Sequence, residues 1–252
     1  MKIAIFADSY GDAKLLRHYP NCEKFYINVV GLAWTELLSQ EFDVTNFSMS
    51  GTGVYYSYKL FCENHAKFDK IIFIPSQSGR FTISLPDTKT DFHCVSSFIE
   101  SIEDLISSSP PHQFQNKQTY SAARDYIIHI LDLKKEQVFN DLMIEDIKKT
   151  RPDTIIIPAF QSPRTGSSPV LSYISILELE HWNVTVQYLR SLNLTEVRKC
   201  HLSIENNHMV FEKVKDVLNG ISPTVDISKY SFRVPTHPWQ NYFMNLGLPR
   251  NI

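Results

Sequence analysis

Five apolar residues, Ile3-Ala4-Ile5-Phe6-Ala7, run without interruption into Asp8-Ser9-Tyr10-Gly11-Asp12. A run this short with no polar face reads as a strand covered on both sides, the pattern of a parallel strand inside an α/β sheet. Its abrupt end in Asp-Ser and a glycine-containing turn delivers a serine hydroxyl to the carboxyl edge of that sheet. Open α/β folds keep their ligand sites at that edge. Ser9 can act as a nucleophile if a base and an oxyanion site converge on it.

The same grammar repeats along the chain. Residues 2–8 form the first predicted strand, and Val29, Val30, Leu32, Ala33, Trp34, Leu37 and Leu38 recur at helical spacing through 29–41. A second strand is predicted over 43–48 and a helix over 54–67. Lys70-Ile-Ile-Phe-Ile-Pro75 is a third strand and Asp153-Thr-Ile-Ile-Ile-Pro158 a fourth. A last helix over 204–218 carries Val210, Phe211, Val214, Val217 and Leu218 on one face. Alternating strands and helices predict a three-layer α/β/α domain around a parallel sheet. Nearly eighty residues separate the third and fourth strands, more than one crossover needs. Helices near 95–107 and 121–150 are expected there, flanking an exposed loop that holds Ser107-Ser-Ser-Pro-Pro111 and a polar run to Tyr120. This helical insertion, at about 81–150, is expected to form a lid or side subdomain. The proline-bearing tail from about 223 reads as irregular.

Composition narrows the function. With 252 residues, 43% hydrophobic and 21% charged, the chain suits one folded domain over 1–252. A net charge of −2 without a long basic run gives no electrostatic reason to expect nucleic acid. The apolar stretches are strand-length, so no membrane span is predicted. The short N-terminal run does not make a signal peptide, and a cytoplasmic setting is expected. Cys22, Cys62, Cys94 and Cys200 form no CxxC pair, which fits reduced thiols. No HExxH or other short-spaced ligand set appears, so no metal is expected. Gly51-Thr-Gly53 lacks the spacing of a dinucleotide or phosphate loop, and no cofactor is expected.

Three further segments carry chemistry. Asn46-Phe-Ser-Met-Ser-Gly51-Thr-Gly53 leaves the second strand with glycines that let backbone N–H groups meet a ligand, making Gly51 a candidate oxyanion donor. Pro75-Ser-Gln77-Ser-Gly-Arg80 leaves the third strand; Gln77 offers an amide donor, and the planar fork of Arg80 suits a carboxylate or phosphate. Arg198-Lys-Cys-His201-Leu-Ser203 precedes the last helix, with Ser203 as its expected N-cap and His201 as a candidate general base.

In block order these segments resemble the SGNH/GDSL hydrolase family, and loosely its uncharacterised bacterial and phage members. Ala7-Asp8-Ser9 stands where the family has Gly-Asp-Ser, and Asn46 to Gly51 is similar to its second block. Pro75-Ser76-Gln77-Ser78 carries glutamine where the third block has asparagine. His201-Leu202-Ser203 matches the second half of the last block, whereas Arg198 occupies its acid position. The resemblance implies an SGNH-hydrolase/flavodoxin-like fold and a serine esterase or acyl hydrolase. Ser9 would be the nucleophile and His201 the base, with Ser9, Gly51 and Gln77 around the oxyanion and Asp8 and Arg80 at the substrate. The implied substrate is a small-molecule or carbohydrate ester. Arg198 has no acceptor for the imidazole; Glu196 or Asp12 is the available replacement acid. The alternative is an inert module that keeps the fold and binds through Arg80, Arg164 and Trp239.

Overall fold

The computed structural model describes residues 1–13, 26–27, 32–76, 80–84, 91–95, 114–159, 197–198, 202 and 204–225. In chain order the elements are β1 (Lys2–Phe6), β2 (Tyr26–Ile27), α1 (Trp34–Glu41), β3 (Asp43–Asn46), α2 (Val54–Asn64) and β4 (Lys70–Phe73). There follow β5 (Arg80–Ser84), β6 (Asp91–Val95), α3 (Phe114–His129), α4 (Leu133–Thr150), β7 (Ile155–Ile156), β8 (Val197–Arg198) and α5 (Ile204–Leu218).

Four strands make a parallel sheet in the order β3-β1-β4-β7. The chain winds from β1 outward to β3, then returns past β1 to β4. β1 is therefore the strand beside which the winding reverses, and the loops after β1 and β4 diverge from a topological switch point. Pairing continues beyond the strand ends: Phe47 N donates to Ile5 O, Met49 N to Ala7 O, and Ile74 N to Phe6 O.

The two-residue period of the central strands sorts their side chains into two cores. Ile3, Ile5, Ala7, Ile72 and Ile74 pack with Trp34, Leu37 and Leu38 of α1 and Val210, Phe211 and Val214 of α5. Ala4, Phe6, Ile71 and Phe73 pack on the other face with Val54 and Phe61 of α2 and Ile147 of α4. The three-layer α/β/α fold follows directly: β1 and β4 have no hydrophilic face, so both faces need helices.

At the amino ends of the strands, Arg151 closes α4 against the turn before β4. Its guanidinium donates to the carbonyls of His65 (2.8 Å), Phe68 (3.2 Å) and Asp69 (3.1 Å). Hydrogen bonding from Arg151 also holds the Asp153 carboxyl below its usual range.

Between β4 and β7 the structure corrects several expectations. Phe114–Tyr120, read as loop, begins α3. The helix expected over 121–150 is two helices broken at Ile130–Asp132, where Asp132 Oδ1 accepts from Lys134 N and Lys135 N to cap α4. β5 and β6, an antiparallel pair, were not expected, and Val95 lies in β6 rather than in a helix. Residues 96–107 and the tail beyond 225 lie outside the described residues. Among the described residues no helix is long and apolar enough to cross a membrane.

Phe6 is fully buried, stacked on Phe47 at 4.9 Å between centroids and edge-on to Phe61 at 5.9 Å. Truncation leaves a cavity that this aromatic cluster cannot close. Phe6→Ala is expected to lower unfolding free energy by about 3–5 kcal/mol, measured by chemical denaturation of both proteins.

Candidate functional site at the carboxyl edge of the sheet

Asp8 opens a β-turn immediately after β1. Its carbonyl accepts from Gly11 N (3.1 Å), and its own Oδ1 accepts from Tyr10 N (3.0 Å). Ser9 occupies the first corner of this turn and is half-buried. Partners from three directions hold the turn still. Trp34 Nε1 donates to Tyr10 O (2.8 Å), while Asn46 Nδ2 (2.7 Å) and Thr35 Oγ1 (3.2 Å) both donate to Gly11 O. Gly11 has no room for a side chain, because a Cβ there would overlap the side chains of Ser48 and Ala7.

The other oxygen of Asp8 faces the loop after β4. Asp8 Oδ2 accepts from Ser76 Oγ at 2.7 Å and from Arg80 Nη1 at 2.6 Å. Asp8 has no exposed surface, and the Arg80 side chain is 16% exposed. Burial of a lone carboxylate is strongly unfavourable; here a cation, a hydroxyl and a backbone N–H compensate it. The Asp8 carboxylate is turned inward onto these bonds, and one arm of the Arg80 fork is committed to it.

The loop after β3 forms a second turn beside the first. Thr52 N donates to Met49 O (3.4 Å), the Thr52 hydroxyl reinforces that carbonyl (2.7 Å), and Gly51 has φ +81°. A positive φ at the third position is the mark of a type II turn, and it explains glycine there. Ser50 N is held by Asp12 Oδ2 at 2.9 Å. With the Ser50 and Thr52 amides so engaged, the Gly51 N–H lies between them on the peptide that neither bond uses. A Cβ on Gly51 would meet nothing within 4 Å, so glycine is explained there by its backbone and not by crowding. Among the described residues, the Ser48 and Ser50 hydroxyl oxygens are buried without a hydrogen-bond partner.

These bonds fasten the Ser9 turn, the Gly51 turn and the start of β5 to one another. Gly53 completes the junction, since a Cβ there would overlap the carbonyl of Arg80. Of the expected site residues, the structure brings Asp8, Ser9, Gly51 and Arg80 to one end of the sheet. Gln77, His201, Ser203, Glu196, Arg164 and Trp239 lie outside the described residues. Arg198 belongs to β8, whose backbone pairs antiparallel with β2 opposite Tyr26. Asp12, one of the two candidate replacement acids, is 7% exposed and anchors the Gly51 turn. Sequence reading missed Ser76, although its place one residue after an apolar strand put it at the same edge. Among the described residues no cluster of three or more histidine, cysteine or acidic side chains could hold a metal ion.

Two substitutions separate conformational strain from close approach. Gly51→Ala is expected to cost about 1–2 kcal/mol from its left-handed backbone alone. Gly53 has an ordinary φ of −88°, but Gly53→Ala must push the Arg80 backbone away, so its melting temperature should fall further than that of Gly51→Ala. Asp8→Ala leaves the Arg80 guanidinium without its carboxylate. With Arg80 partly exposed, the expected loss is at the lower end for a broken buried pair, about 3 kcal/mol, read from denaturant titration. In comparison with known proteins, no family model matches this chain and no curated protein matches it.

Proposed function

We propose that the protein is a serine ester hydrolase of the SGNH type, acting on a small-molecule or carbohydrate ester. The observation that carries this reading is the pairing of two rigid turns at the switch point of a parallel sheet. One carries Ser9 at its first corner, and the other holds Gly51 at φ +81° with open space where a side chain would stand.

In the proposed reaction Ser9 Oγ attacks the acyl carbon as His201 takes its proton. The oxyanion that forms is held by the backbone N–H groups of Ser9 and Gly51 and by the Gln77 amide. His201 then returns the proton to the departing alkoxide, releasing the alcohol and leaving an acyl-serine. A water molecule, deprotonated by His201, attacks that ester; the Ser9 Oγ–acyl bond breaks, His201 returns the proton to Ser9 Oγ, and the carboxylic acid leaves. Donors fixed before the reaction stabilise developing charge without reorganisation, and the hydrogen bonds on the Ser50 and Thr52 amides supply this rigidity. Arg198 at the acid position cannot orient the imidazole, so turnover is expected to be slow, or to depend on another acceptor. Loss of the orienting carboxylate costs about 10⁴ in kcat in a serine protease triad.

Intact mass after exposure to a fluorophosphonate tests the reading. The wild type should gain one adduct as the Ser9 Oγ–P bond forms and fluoride leaves, with the serine proton passing to His201. Ser9→Ala should gain none, and His201→Ala should react at least tenfold more slowly. A folded wild type that gains no adduct would favour an inert module of the same fold. Gln77→Ala should lower turnover of an activated ester; turnover equal to wild type would remove Gln77 from the oxyanion site.

A further inference from the structure

A side-chain amide far from Ser9 in sequence connects the Ser9 turn, through Trp34, to Leu202, the residue that follows His201 in the chain. Asn207 lies in the first turn of α5 and is 3% exposed. Its Oδ1 accepts from Trp34 N at 2.9 Å, and its Nδ2 donates to Leu202 O at 3.2 Å. The two partners settle which end of the amide is which, because a backbone N–H can only donate and a carbonyl can only accept. Trp34 in turn reaches the Ser9 turn through Nε1 on Tyr10 O at 2.8 Å. Leu202 is 3% exposed and belongs to the core that includes Tyr10 and Trp34. Consecutive Cα atoms are about 3.8 Å apart, so the anchor at Leu202 acts one residue from His201.

We propose that Asn207 is a positioning residue for the general base: it fixes the carbonyl of Leu202, the residue next to His201 in the chain, to the amino end of α1 and, through Trp34, to the turn that bears Ser9. The inference rests on the hydrolase reading and deepens it. With Arg198 at the acid position, a buried amide that holds the carbonyl of the next residue is the anchor available on this side of the chain. Asn207 does not touch the reacting atoms. Its effect passes through the placement of His201, and the choice of side chain is narrow. Aspartate accepts from Trp34 N but, when ionised, cannot donate to Leu202 O. Leucine does neither.

The test is a double-mutant cycle on the full chain, read as the rate of fluorophosphonate adduct formation at Ser9. The proteins are wild type, Asn207→Leu, Asn207→Asp, His201→Ala and each Asn207 variant combined with His201→Ala, with thermal melts establishing which are folded. The expected result is a tenfold or greater loss of labelling rate in Asn207→Leu and a smaller loss in Asn207→Asp. Neither substitution should lower the rate further once His201 is alanine. That non-additivity is the signature of acting through His201, which a purely structural role would not produce. Should Asn207→Leu fail to fold, Asn207→Asp carries the same comparison. A folded Asn207 variant that labels at the wild-type rate, or one whose loss persists undiminished without His201, overturns the inference while leaving the hydrolase reading intact. A wild type that does not label, or labelling that is indifferent to His201→Ala, overturns the hydrolase reading and the inference with it.

Discussion

The carboxylate of Asp8 is the charge around which this end of the molecule is organised. It sits at the end of the central strand with no exposed surface, and three donors from two loops converge on it: Tyr10 N, Ser76 Oγ and Arg80 Nη1. An ion in that position is tolerable only when its hydrogen-bonding capacity is filled. The requirement determines the path of the chain after β4, because Arg80 must enter β5 close to the amino end of α2. Gly53 permits that approach by having no Cβ. The same carboxylate shapes the turn that displays Ser9, so one buried group ties the position of a hydroxyl to the geometry of two neighbouring loops.

Rigidity at the strand ends comes from polar bonds added to the packing of Tyr10. The central strands' share of the core ends at Ala7, just after β1, and at Ile74, just after β4, and of the Ser9 turn Tyr10 joins it. Beyond that point Gly11 O receives Asn46 and Thr35, Asp12 receives Ser50 N, and Tyr10 O receives Trp34. Each bond alone contributes modestly, around 1 kcal/mol. Together they leave the two turns little freedom to move independently. A site built in this way suits chemistry that needs donors held in advance of charge development.

Apolar periodicity made the main layers legible before any coordinates. The α5 boundaries predicted from Val210, Phe211 and Val214 coincide with the observed helix, and the four core strands lie within their predicted ranges. The insertion was harder to read, for local reasons. Gln115, Lys117 and Gln118 are good helix formers without an apolar stripe, so a helix there looks like loop to a pattern search. Asp132 splits the expected long helix because its carboxylate caps α4, a signal present in the sequence but outweighed by the continuous helical spacing around it. At the candidate site, Ser9 was legible because it follows an apolar strand, and Gly51 because two glycines mark the exit from the second strand. The inward orientation of Asp8 was not, since nothing beside it in the sequence supplies its cation.

The sequence by itself determined the order of the four parallel strands and of α1, α2 and α5 among them, the double-sided burial of β1 and β4, and the place of Ser9 and Gly51 after strand ends. All of these follow from residue spacing within a few turns of the chain. Tertiary structure alone decided that Asp8 pairs with Arg80, seventy-two positions away, and that Asn207 clamps Trp34 across a separation of 173. Such pairings depend on how twisted strands and packed helices bring distant segments together. Local periodicity records which face of an element is buried, but not which polar group waits on the other side.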